Sequence, residues 1–194
     1  MSFADILTDV YTLTGHPEQV NLSKLGIRAA TVKLHGMEFW REDRVEESIA
    51  VTVVEGEFSL DLAADLAYAV RHLAAIRKGS GHVYFDEIDP KQLLDQFGYK
   101  RYNSFYRIGN TLKFLSDTAE TEIFIIYYKQ PIAVETGYTS WIADMYPLLV
   151  ALEAANFVFS SLGDKEQEAK IKGMIAEHIG VLTINHLDPV SSNS

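Results

Sequence analysis

With 194 residues and a formal net charge of −10, from 27 acids against 17 bases, the chain is long enough to bury a full core and too acidic to grip phosphates. It has no cysteine, which excludes disulfides and a cysteine nucleophile and fits a reducing compartment. No apolar run approaches the roughly 20 residues of a membrane helix, and no secretory signal is expected at the N-terminus.

Ser2 stands three residues before Asp5, the spacing of a capping box. Phe3, Ile6, Leu7, Val10 and Tyr11 then recur at helical spacing and predict a first helix, ended by Gly15 and Pro17. A second helix is expected from Asn21 or Ser23, with Leu22, Leu25, Ala29, Val32 and Phe39 along one side. Arg41 to Glu47 is a charged connection.

The middle of the chain differs in kind. Ile49, Val51 and Val53 alternate with smaller or polar residues, as do Phe58, Leu60 and Leu62, and both runs predict half-buried strands. Residues 62–76 fit either state. Leu66, Val70, Leu73 and Ile76 suit a helix, while Leu66, Tyr68 and Val70 suit a strand; alanine content favours helix. Gly79-Ser80-Gly81 is a turn. Asp89-Pro90 opens a short helix through Leu93, Leu94 and Phe97 to a stop at Gly98. Residues 105–108 and 111–115 flank Gly109-Asn110, the clearest hairpin signal in the sequence. Glu122 to Tyr128 is a further strand.

The last third turns helical again. Tyr138-Thr139-Ser140-Trp141-Ile142 places a hydroxyl cap before large apolar residues, and Pro147 reads as a first-turn residue or a kink. Leu148, Leu149, Leu152, Ala155, Val158 and Phe159 form one stripe, which Gly163 ends. Asp164 caps a final helix with Ile171, Ile175, Ile179 and Leu182 on one face. These two helices form a hairpin that needs cover, and the N-terminal helices are the natural partners. The expected fold is α+β: one domain over 1–194, with a helical bundle from 1–40 plus 138–188, a β-rich insertion at 41–137, and a flexible tail at 189–194.

Chemical motifs are sparse. No pair among His16, His35, His72, His82, His178 and His186 has zinc-helix spacing, and surface or structural roles are the better reading. Lys78-Gly79-Ser80-Gly81 is no phosphate cradle, and Asp86, Glu87 and Asp89 lack the alternation of a calcium loop. Asp61 and Asp65 would need a cleft to act as an acid–base pair. Arg101, Tyr102, Tyr106 and Arg107 mix basic and aromatic residues, but in so acidic a chain they read as a half-exposed hairpin surface. No serine sits in a nucleophile elbow. No catalytic, metal or cofactor site is expected.

The opening Phe3-Ala4-Asp5-Ile6-Leu7-Thr8-Asp9-Val10-Tyr11, the helix Ile27 to Phe39, Asp89-Pro90 with Leu94-Asp95, and Tyr138-x-Ser140-Trp141-Ile142 with Pro147 and Glu153-Ala154-Ala155 resemble the head-to-tail adaptors, or neck connectors, of tailed bacteriophages. The resemblance spans nearly the whole chain and rests on structural rather than chemical motifs. It implies a structural virion protein that forms a ring, typically dodecameric, beneath the portal and seats the tail. The implied partners are the portal protein, tail or nozzle proteins, and further copies of the chain, with DNA passing through the channel unbound. The implied location is the virion neck, after assembly in the host cytoplasm. C-terminal tails of such adaptors reach into the portal, so Ile184, Leu187 and Val190 are the expected docking anchors. Acidity agrees, because a DNA channel must not hold DNA. Two other readings stand beside it: another virion ring component such as a tail terminator or completion protein, and a small-molecule-binding α+β enzyme.

Overall fold

The computed structural model describes residues 1–53, 56–79, 81, 83–94 and 98–187. In chain order the elements are α1 (Phe3–Thr14), α2 (Val20–Gly36), β1 (Arg44–Val53), β2 (Gly56–Asp61), α3 (Leu62–Asp65), β3 (Val70–Lys78), β4 (Asp86–Glu87), β5 (Ser104–Ile108), β6 (Thr111–Ser116), β7 (Glu120–Lys129), α4 (Trp141–Met145), α5 (Pro147–Leu162) and α6 (Lys165–His186). Short 3-10 turns occupy Arg41–Asp43 and Pro90–Gln92. Among the described residues no helix is long and apolar enough to cross a membrane.

The chain divides into two compact units, Met1–Asp43 with the segment from Gln130 onward, and Arg44–Lys129. The expected single helical domain carrying a β-rich insertion is therefore corrected. The α+β chain has helices at both ends, and its strand-rich middle is a unit of its own with two sheets and a separate core. The physical reason is the number of inward apolar residues the strands supply, enough to bury one another.

In the helical unit, local chemistry sets the ends of the elements. Ser2 and Asp5 make a reciprocal capping box at the start of α1, and Gly15 ends it in the left-handed conformation. Ser140 caps α4, Pro147 is the first residue of α5, and Gly163 closes α5 at φ 77°. Asp164 accepts the Gln167 N–H at 3.1 Å and opens α6. The helix α5 is the centre of the unit. Leu149, Val150, Leu152, Ala154, Ala155 and Val158 are buried along it, and α1, α2 and α6 all pack on it. Val10, Leu152 and Phe159 share one core, with Leu7 against its edge. The approach of α2 to α5 is close enough that a Cβ at Gly26 would lie 2.9 Å from the Ala154 carbonyl oxygen.

The second helix departs from expectation in its start and in its face. It begins at Val20 and has no side-chain cap. Its buried side is Ser23, Gly26, Ile27, Ala30, Thr31, Leu34 and His35, while Leu25, Ala29 and Val32 face solvent. Both sides of α2 carry apolar residues at helical spacing, so periodicity alone does not choose between them.

In the strand-rich unit, β1, β7 and β3 form one antiparallel sheet in that order. The other sheet runs β2, β6, β5, β4, with β4 parallel to β5. Leu60, Ile76, Phe105, Leu112, Phe114, Ile123 and Ile125 fill the core. Phe58 stacks on Phe114 at 4.5 Å between ring centroids. Gly109, at φ 61°, makes the β5–β6 hairpin. The ambiguous stretch 62–76 splits into one helical turn, capped by Asp61, and the strand β3. Nine residues of β3 lie along the ten-residue β7, and that ladder outweighs the few tenths of a kcal/mol per residue that alanine offers a helix. The expected helix after Asp89 shrinks to the turn Pro90–Gln92. Leu94 instead pairs with Lys100 in an antiparallel bridge, and Phe97 lies outside the described residues.

Candidate functional site

The most concentrated chemistry lies in the helical unit, where Glu42 and Asp43 each hold a histidine. His35 comes from the buried side of α2, Asp43 from the 3-10 turn, and Ser140 and Trp141 from the start of α4. His35 Nδ1 lies 2.9 Å from both Asp43 carboxylate oxygens, and Nε2 lies 2.9 Å from Ser140 Oγ. In the tautomer that donates from Nδ1, Nε2 accepts the Ser140 hydroxyl. Trp141 Nε1 donates to Asp43 Oδ1 at 2.9 Å. The neighbouring set is built from α6. His186 Nδ1 is 2.7 Å from Glu42 Oε1, and Nε2 is 2.9 Å from the Tyr146 hydroxyl. The Trp141 ring lies between the two sets, 5.9 Å from the His35 ring and 4.9 Å from the His186 ring.

Hydroxyl, imidazole and carboxylate stand in the order of a nucleophilic triad. The hydroxyl is committed elsewhere. Ser140 Oγ accepts the Ala143 N–H at 3.1 Å as the cap of α4, and Ser140 is only 6% exposed. The arrangement fastens the stretch from His35 to Asp43 to the start of α4, 105 positions on from His35, through buried, hydrogen-bonded polar groups. Burial pushes the Glu42 carboxyl upwards, but hydrogen bonds from His186, from its own backbone and from Arg41 outweigh it and leave the group below its ordinary range.

A protein-family model that matches the chain was not found, and neither was a curated protein. The site geometry therefore stands on its own residues.

The other residues singled out in the sequence fall into place separately. Asp61 Oδ1 accepts the Ala63 N–H and Asp65 Oδ2 accepts the Asp61 N–H, so both carboxylates serve the turn α3. His16 pairs with Glu18 on the surface, and His82 lies outside the described residues. Arg107 Nε donates to the Gly109 carbonyl, holding the hairpin. Lys78, buried on β3, reaches Asp117 at 2.5 Å and Glu120 at 3.6 Å. Lys78 and Asn103 hold the Asp117 carboxyl below its usual range. Among the described residues no group of three or more His, Asp or Glu side chains is placed to hold a metal ion.

Of the expected docking anchors, Ile184 is 85% exposed on α6, and Leu187 follows the helix, its backbone bridged to Trp40. Val190 lies outside the described residues. The His35–Asp43–Ser140 set was missed by sequence reasoning. Its one local signal is the Ser140 cap, and His35 is assigned inward only once the buried side of α2 is known.

Proposed function

We propose that the chain is a structural subunit of a ring, the head-to-tail adaptor that sits beneath the portal of a tailed phage and seats the tail. The observation that carries this is the second apolar side of α2. Leu25 and Val32 are 52% and 46% exposed although the opposite side of the same helix is fully buried in the core. A helix apolar on both sides is suited to a chain whose neighbours complete its packing. The polar network at His35 and Asp43 supports a scaffold rather than a reaction, because its one hydroxyl is spent as a helix cap. The formal charge of −10 suits a channel wall that lets DNA pass. In this reading the C-terminal segment that carries Ile184, Leu187 and Val190 meets the portal, tail or nozzle proteins are further partners, and the protein resides in the virion neck after assembly in the host cytoplasm. It needs no cofactor and performs no catalysis.

The test is placement of the chain in purified particles. Stoichiometric recovery from virions, with density at the neck between portal and tail, is the expected result. A position at the far side of the tail interface would make it a tail terminator or completion protein. Absence from particles, together with covalent labelling of Ser140 by a fluorophosphonate, would turn the reading to an enzyme.

A further inference from the structure

The outward sides of α2 and α6 match each other in relief. Gly173 and Gly180 lie on the exposed side of α6, each with open space where a Cβ would stand, and Ala169 and Ala176 are exposed with them. Glycine is the poorest helix former after proline. Gly26 has a reason within the unit, the close approach of α5, but among the described residues nothing lies close to Gly173 or Gly180. They leave a notched surface suited to close approach by another helix.

The raised counterpart is on α2, where Leu25 and Val32 project on either side of Ala29. From Leu25 the steps to Ala29 and Val32 are four residues and then three. From Gly180 back to Ala176 and Gly173 they are again four and then three. Antiparallel helices with a common rise of about 1.5 Å per residue bring all three pairs level at once, Leu25 with Gly180, Ala29 with Ala176, and Val32 with Gly173. The same register brings Ile184 level with Asn21, at a shallow groove of about 650 Å³ lined by Glu18, Gln19, Val20, Asn21, Leu22 and Leu25.

We propose that α6 of one copy packs antiparallel on α2 of the next in this register, with Ile184 seated in the groove at the start of the neighbouring α2. Both helices pack on α5 rather than on each other, so the two surfaces are separate patches of one unit. A contact between unlike patches is head-to-tail and repeats from copy to copy. The proposal rests on the ring reading only in expecting the series to close, and it assigns Ile184 to the neighbouring copy instead of the portal.

Because the chain has no cysteine, crosslinking has no background. In the full-length protein, the double variant Ala29→Cys, Ala176→Cys is oxidised and run without reductant. The expected result is a ladder of disulfide-linked multimers that ends in one closed species, while each single variant stops at dimer. Gly173→Leu with Gly180→Leu, added to that double variant, should keep or raise the melting temperature yet reduce crosslinked product at least tenfold. Absence of multimers above dimer from the double cysteine variant overturns the interface. If the unmodified chain nevertheless forms rings in light scattering and electron microscopy, the ring reading survives that loss. A ladder that never closes keeps the interface and removes the ring.

Discussion

His35 Nδ1 lies 2.9 Å from each carboxylate oxygen of Asp43, and both side chains are buried. Asp43 also accepts from Trp141, so removing its carboxylate strands two donors. Asp43→Ala should therefore destabilise the helical unit by about 2–6 kcal/mol, about 1–3 kcal/mol for each donor left unsatisfied. Ser140→Ala, which removes a helix cap, should cost about 1 kcal/mol. Urea midpoints followed by tryptophan fluorescence report both, since Trp40 and Trp141 lie in this region. Equal, small shifts for the two variants would show that the carboxylate does not hold the site.

Two glycines in helices of the same unit should respond in opposite directions to alanine. At Gly26 the added Cβ would meet the Ala154 carbonyl oxygen at 2.9 Å, and backbone does not yield easily. Overpacking of this kind costs about 1–3 kcal/mol. At Gly173 the Cβ enters open space, and helix propensity should stabilise by about 0.8–1 kcal/mol. Thermal melts of the two single variants decide the matter, and a Gly26→Ala protein as stable as the parent would mean α2 and α5 are less closely apposed.

How much of this was legible in the sequence depends on how local the cause is. The caps at Ser2, Ser140, Gly163 and Asp164 are settled by neighbouring backbone groups, so residue type and spacing reveal them. The phase of α2 is not local. Leu25, Ala29 and Val32 repeat as regularly as Ile27, Ala30 and Leu34, and only contact with α5 selects the second set. Strand β3 likewise follows from its ladder with β7, not from its alanines. The His35–Ser140 contact joins residues 105 positions apart, beyond the reach of any spacing rule.

The Glu42 carboxyl gives the helical unit a pH dependence of known sign. Its value in the folded protein is lowered from 4.5, as burial is outweighed by the bonds from His186, its own backbone and Arg41. A depressed carboxylate contributes stability that is present above the unfolded value and lost as pH falls through the folded one. Glu42→Gln should therefore be less stable than the parent at pH 7, and the gap should narrow as pH falls below 4.5. Denaturation midpoints across that range test this. A gap that widens in acid would show that Glu42 is not held in its charged form by the fold.

The portal-docking role proposed for the C-terminal segment needs a cut in the right place. Removal of residues 184–194, which carries away all three expected anchors, takes more than a tail. His186 is buried and bonds both Glu42 and Tyr146, and the Leu187 backbone pairs with Trp40. At about 1 kcal/mol for each lost hydrogen bond, with lost packing besides, that cut should lower the melting temperature by roughly 5–10 °C. Removal of residues 188–194 spares all of these contacts and should lower the melting temperature by less. If the segment docks, the shorter cut abolishes attachment to portal-bearing heads while copies still associate with one another through α2 and α6. Normal attachment by the 188–194 deletion at the parent's yield would place the docking surface elsewhere. The longer cut cannot make that distinction, because a protein weakened at His186 fails to attach for either reason.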